Sequence, residues 1–205
     1  MLICLRYDFA FLATPKTGTT AIEAAIRPQA EVIFTRNRKH ITAARYANKV
    51  APFLEDTFGK RPPSVAMIRE PVAQLRSWYR YRSRDALEGT PVSTKNITFD
   101  AFVAEVIADD PPERAQVGRQ FRFLTNAKGR LMADHLFDYA QPDKLIAFLS
   151  ERMGAPLEVE RRNVSPDREA PLSDAALTSL KAARAEDFAL YADVVAAGGH
   201  LRRKP

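Results

Sequence analysis

Lys16, Thr17, Gly18, Thr19 and Thr20 stand together in the stretch Phe9–Thr20, FAFLATPKTGTT. Phe9–Thr14 is apolar apart from its last residue and carries no charge, and the Ala-rich run Ala21–Ile26 follows the loop. The pattern predicts strand, tight loop and helix. Loop N–H groups and the positive end of a helix dipole then face an anion together. Gly18 lets the backbone approach closely, with no Cβ in the way. Lys16 adds a full charge, and Thr19 and Thr20 add hydroxyl donors. The chemistry these residues suit is the holding of a phosphate-like group. The common NTPase loop, GxxxxGK[ST], places Lys directly after its second Gly. Here Lys16 precedes Gly18, and position 13 is Ala rather than Gly.

A second group lies further on. Ser64–Arg69, SVAMIR, is short, apolar and preceded by prolines, which predicts a buried parallel strand. Glu70-Pro71 then opens a helix, with Pro71 where its missing N–H costs nothing. Arg69 at the strand end and Ser77 two turns into the helix can meet at one anion, a planar fork beside a hydroxyl donor. Arg80, Arg82 and Arg84 on the same helix read as a solvated face. His40 ends a basic loop after the predicted strand Glu31–Thr35. Ligands in open α/β sheets bind beyond the carboxyl ends of strands, which places His40 near the edge that holds Lys16.

PKTGTT, residues 15–20, resembles the 5′-phosphosulfate loop of sulfotransferases that use 3′-phosphoadenosine 5′-phosphosulfate (PAPS). IREPVAQLRSWY, residues 68–79, resembles the 3′-phosphate motif of the same family, an Arg and a Ser eight positions apart. Glu70 stands where the family usually has Asp. Arg161–Pro166 is similar to an Asn-x-Ser segment of carbohydrate-type members, and Leu172–Tyr191 to their closing helix. A family strand that commonly ends in an aromatic-Glu pair is here Tyr139-Ala140, so the acid is missing.

The resemblance implies sulfuryl transfer from PAPS to a hydroxyl or amine of a carbohydrate, lipid or small-molecule acceptor. Thr17, Gly18, Thr19 and Thr20 would cradle the 5′-phosphate, and Lys16 would stabilise the leaving phosphate. Arg69 and Ser77 would grip the 3′-phosphate. The acceptor needs a base, and His40, whose imidazole offers a proton-accepting nitrogen, is one candidate. Glu23 on the first helix is the other. No metal is required. The expected fold is α/β: a P-loop-like central parallel sheet with helices on both faces, in one domain over residues 1–197, with 198–205 a flexible tail.

The helices expected to position these groups run over Gly18–Arg27, from Ile41 to Phe58 with a break at Pro52, and over Phe99–Ala108, 113–125 and Pro142–Met153. Leu131–Tyr139 is expected to be a strand, and Asp85–Asn96 a polar loop. Arg119 and Arg122 are either exposed or line an acceptor cleft. His135 reads as structural.

The chain has 205 residues, 46% hydrophobic and 27% charged, enough for one core. Its single cysteine, Cys4, excludes an intrachain disulfide, and three scattered histidines show no zinc-ligand spacing. No apolar run approaches the roughly 20 residues of a membrane span, and the N-terminus is charged too early for a secretion signal. A cytoplasmic protein is the expectation. The net charge of +6 favours an anionic ligand, and an anionic acceptor is compatible with it. Nucleic acid is not expected, and the oligomeric state is open. Two other classes fit parts of the pattern. One is an ATP-dependent small-molecule or nucleotide kinase with a diverged loop. The other is a non-catalytic polyanion-binding domain using the Arg76–Arg84 face.

Overall fold

The computed structural model describes residues 1–160 and 168–204. Its centre is a mixed six-stranded sheet. The chain opens with a hairpin, β1 (Leu2–Cys4) and β2 (Phe9–Phe11), paired antiparallel with Leu2 opposite Phe11. The turn falls on Arg6-Tyr7-Asp8, where polar residues interrupt the apolar run and Asp8 takes a φ of 54°. β3 (Val32–Ile33) pairs antiparallel with β1 at the edge. β4 (Ser64–Ile68) lies parallel to β2, and β5 (His135–Asp138) lies parallel to β4. β6 (His200–Arg202) closes the other edge, antiparallel to β5. The sheet is therefore mixed: the expected parallel sheet is seen at its centre, in β2, β4 and β5, and both edges are antiparallel. The segment expected to be a flexible tail from residue 198 instead supplies β6.

Alternation along the strands builds two cores. Leu2, Phe9, Phe11, Val65, Met67 and Phe137 face α1 (Thr19–Ile26) and α7 (Pro142–Met153) through Ile22, Ile26, Leu145 and Leu149. On the other face, Ile3, Leu12, Ile68 and Leu136 meet α3 (Ala51–Phe58) at Leu54 and α9 (Ala185–Ala196) at Leu190 and Val194. That period of two is what a sheet covered on both sides requires. A third core joins α4 (Pro71–Arg82), α5 (Phe99–Ile107) and α8 (Asp174–Ala183) through Leu75, Tyr79, Phe102, Val103 and Leu180.

Several predicted helices are divided. The stretch up to Phe58 comprises α2 (Ala43–Arg45), a π-turn over Tyr46–Val50 and α3, with Pro52 in the first turn of α3. Proline cannot donate the bond that would continue the preceding turn, and the wider turn absorbs the mismatch. The helix expected over 113–125 is only α6 (Gln120–Leu124), preceded by a 3₁₀ turn at Glu113–Ala115. Asp187 accepts from the Phe121 N–H near the start of α6, at 3.0 Å. The closing helix breaks at Arg184 into α8 and α9.

Candidate functional site

Three parallel strands deliver their carboxyl ends to one edge, and that edge holds most of the residues selected from sequence. After β2 comes the loop Ala13–Gly18. The Thr17 hydroxyl donates to the Thr14 carbonyl at 3.0 Å, and Thr17 is fully buried. Its side chain is thus a brace within the loop, and only its backbone can face a ligand. Lys16 and Gly18 both adopt left-handed backbone, at φ 66° and 68°. For Lys16 that geometry costs about 1–2 kcal/mol, a strain typical of functional turns. Gly18 caps α1 with no side-chain hydrogen bond, leaving its early N–H groups without a side-chain cap. Thr20 is exposed, whereas Thr19 is buried.

Arg69 ends β4. Its backbone is held on both sides by one amide: its N–H donates to Gln120 Oε1 at 2.9 Å, and its carbonyl accepts from Gln120 Nε2 at 2.8 Å. That clamp leaves the guanidinium to reach across. Nη1 donates to the Lys16 carbonyl at 3.3 Å, and Cζ stands 4.5 Å from the centre of the Tyr139 ring. Burial lowers the pKa of this guanidinium. Glu70 caps α4, accepting from Val72 N–H at 3.0 Å and Ala73 N–H at 2.6 Å. Its longer carboxylate is fully spent there.

One face of α4 turns toward the loop. Gln74 donates to the Pro15 carbonyl at 3.4 Å, and Lys16 Nζ lies 4.2 Å from the Tyr81 ring centre and 5.4 Å from that of Trp78. Ser77, half-buried, shares this face by its spacing from Gln74 and Tyr81. Among the described residues its hydroxyl has no hydrogen-bond partner. The Lys16 ammonium is pushed down to about 8, first by burial and then by the charges of Arg84 and Arg69.

β3 is antiparallel to β1, as β2 is, so its carboxyl end reaches the same edge. His40 arrives there with Nδ1 2.7 Å from the Ala13 carbonyl. A carbonyl only accepts, so Nδ1 carries the proton and Nε2 presents a lone pair. His40 is exposed, and Nε2 has no partner among the described residues. Glu23 is placed differently. It is 8% exposed and pairs with Lys39 at 2.5 Å and the Met1 ammonium at 3.4 Å. Each carboxylate oxygen is taken up by one of these cations, which leaves neither free to receive a proton from an acceptor. Glu23 is withdrawn as a candidate.

The arginines of α4 are not the solvated face expected. Arg76 and Arg80 donate to the carbonyls of Ala170 and Arg168, at 3.1 and 2.8 Å. Arg82 donates to those of Glu113 and Gln116, at 2.8 and 3.2 Å. All three arginines of α4 thus fasten distant segments onto the helix through backbone carbonyls. Arg84 differs, forming no hydrogen bond or ion pair through its side chain among the described residues. His135 donates or accepts at Nδ1 with His200 Nε2, 3.0 Å away, beside the Phe137 and Phe148 rings. The Asn-x-Ser segment lies outside the described residues.

A cleft of about 780 Å³ adjoins the loop, lined by Pro15, Thr42, Gln74, Gln120, Arg122 and Arg184 among others. It does not include Lys16 or Arg69 but backs onto the amides that hold Pro15 and Arg69. Thr42, Arg119 and Arg122 also line a neighbouring hollow of about 660 Å³. Arg119 is engaged by Glu186 and Asp187, at 2.6 and 2.8 Å, so Arg122 is the freer of the two.

Sequence reasoning missed Tyr139, Gln74, Gln120 and the Trp78–Tyr81 pair as parts of this edge. Tyr139 had a signal: it follows a strand on the same edge. A Cβ on Gly18 would lie 2.7 Å from its Cε2, so ring and loop are mutually fitted. The two glutamines carried none, because each acts on backbone that only the fold brings near. Among the described residues no group of three or more His, Cys, Asp or Glu side chains is arranged to hold a metal, and no helix is long and apolar enough to cross a membrane. The chain matches no protein-family model, no curated protein and no solved structure.

Proposed function

We propose that the protein is a PAPS-dependent sulfotransferase with a P-loop-like donor site, moving a sulfuryl group to a hydroxyl or amine of an acceptor seated in the cleft beside Pro15. The observation that carries this reading is the convergence of Lys16 and Arg69. Their motifs lie far apart in sequence, yet the Arg69 guanidinium touches the Lys16 backbone. Neither cation has a carboxylate partner among the described residues. Half-buried positive charge without an acid partner suits a ligand that brings its own oxyanions.

The donor set fits such a nucleotide. The N–H groups of Thr17–Thr20 and the start of α1 would hold the 5′-phosphate, with the Thr20 hydroxyl beside them. Arg69 and Ser77 would hold the 3′-phosphate, the group that separates PAPS from ATP. Lys16 would neutralise negative charge growing on the phosphate oxygen as its bond to sulfur breaks. His40 Nε2 would take the proton from the acceptor oxygen as that oxygen bonds to sulfur. Such transfer asks the protein mainly for position and charge stabilisation.

The test is transfer of label from ³⁵S-PAPS into a panel of sugars, phenols, alcohols and amines. The reading expects labelled product that depends on Lys16. No labelled product across the panel, together with Mg²⁺-dependent transfer of the γ-phosphate of ATP, would overturn it in favour of a kinase.

A further inference from the structure

Four aromatic and cationic side chains meet where α4 ends. The Tyr81 ring carries Lys16 Nζ at 4.2 Å and Arg84 Cζ at 4.5 Å. Trp78 packs edge-on against Tyr81, with ring centroids 6.1 Å apart. Arg69 reaches the same loop through the Lys16 carbonyl. Like charges on one patch repel, and natural surfaces intersperse acids among them. Among the described residues no carboxylate pairs with Lys16 or Arg84: Glu70 caps α4, and Asp85 and Glu88 are drawn to Lys95 at 2.9 and 2.6 Å. The Trp78 indole N–H is shielded from solvent and has no acceptor among the described residues. A shielded donor without a partner is unfavourable, and a bound acceptor would relieve it.

Arg82 is close by, 5.3 Å above Trp78, but carbonyls hold it. Arg84, two residues beyond α4, forms no side-chain hydrogen bond or ion pair among the described residues. Its charge is also felt at Lys16, where it depresses the ammonium's affinity for a proton more than Arg69 does.

We infer that Arg84, with Lys16, forms a seat for the terminal tetrahedral oxyanion of the ligand, walled by Tyr81 and Trp78. This rests on the proposed donor site only for the identity of the ligand. On that reading Arg84 binds the sulfonate being transferred and leaves the phosphates to the loop and Arg69. Arg84 is then a binding residue that discriminates PAPS from its product, 3′-phosphoadenosine 5′-phosphate (PAP).

Trp78 is the only tryptophan of the chain, so its fluorescence reports on the seat directly. Inorganic sulfate and inorganic phosphate are titrated separately at constant ionic strength into the wild type, R84Q, R84K and, as a distant control, R6Q. Sulfate is expected to change the emission saturably in the wild type and R6Q. R84Q should raise the half-saturation point at least tenfold, and R84K should retain most of the response. A response to phosphate alone assigns the seat to phosphate and overturns its assignment to the sulfonate. No saturable change with either anion, or equal titrations in wild type and R84Q, overturns the seat. With nucleotides, R84Q should weaken PAPS at least tenfold and PAP less than threefold; equal losses overturn the assignment to the sulfonate. If the wild type binds neither nucleotide while the sulfate response still depends on Arg84, the donor reading fails and the seat stands.

Discussion

The Arg69 guanidinium donates from Nη1 to the Lys16 carbonyl at 3.3 Å, across 53 residues of sequence. One bond thus ties the end of β4 to the turn after β2 and sets the spacing of two cations at the sheet edge. The contact uses the Lys16 backbone, so it does not neutralise either charge. Arg69→Lys keeps charge but loses the planar fork. It is expected to weaken PAP binding about 10-fold or more and Arg69→Ala about 100-fold or more, by calorimetry. Both should fold, because Gln120 grips the backbone of residue 69 rather than its side chain. Unchanged affinity in both variants would contradict the assignment.

Lys16 sets a pH dependence. Its ammonium is pushed down to about 8 by burial and by Arg84 and Arg69. Lysine is positive only below its pKa, so the free protein loses this charge as pH rises through about 8. Affinity for PAP is expected to be flat from pH 6 to 7.5 and to fall above 8. In Lys16→Met the fall should vanish and affinity should be low throughout. Titrations at stepped pH check this, and a wild-type affinity that stays level to pH 9.5 would refute it.

His40 is expected to act on turnover and not on donor binding. Its Nδ1–H is committed to the Ala13 carbonyl, which orients Nε2. General bases contribute typically 10²–10⁴-fold, so His40→Ala should lower kcat by about that factor and change PAP affinity less than threefold. Glu23→Gln breaks a buried pair with Lys39 instead. Its expected effect is a lower Tm, with turnover by the folded protein retained.

Gly18 and Tyr139 form a fitted pair. At Gly18, φ is 68°, and a Cβ would stand 2.7 Å from the Tyr139 ring. Gly18→Ala therefore combines backbone strain with a clash, an expected loss of about 1–3 kcal/mol. Tyr139→Ala in the same chain removes the clash and leaves the strain. Chemical denaturation of the two single variants and the double variant forms a cycle. The expected result is partial recovery in the double variant; strict additivity would separate the two residues.

The His135–His200 contact predicts acid sensitivity at the β5–β6 edge. His135 is lowered to about 4 by burial and by the neighbouring His200, Arg152 and Arg202 charges. Unfolded histidine titrates near 6.5. Between these values the unfolded chain binds the extra proton, so stability falls as pH drops from about 6.5 to 4 and is intact above. The loss is on the order of 2 kcal/mol. His135→Asn should flatten the fall of Tm over that interval; an unchanged fall would exclude this pair as its source.

Much of this layout can be read in the sequence because it is local. The strand ending at Ile68, the cap at Glu70 and the helix closed by Gly154 follow from runs and caps within a few residues. The hairpin at residues 2–11 was hidden because its turn has only a short polar break and no glycine. β6 was hidden because GGHLRRKP lacks a strand-like apolar alternation, and its pairing comes from β5. Lys16, Gly18, Arg69, Ser77 and His40 were legible as residue types at spacings. Their partners were not, since Tyr139, Gln74 and Gln120 come from other elements. The pairing of Glu23 is not legible in the sequence, because nothing local reveals that Lys39 and Met1 lie over it.

The central claim is a site built for a nucleotide with a 3′-phosphate. Calorimetric titration with PAP, beside AMP and ATP, tests it most directly. The account predicts tight PAP binding without Mg²⁺, weak AMP and ATP binding, and loss of the PAP signal in Arg69→Ala and Ser77→Ala. No PAP binding, or ATP binding that requires Mg²⁺, would contradict it.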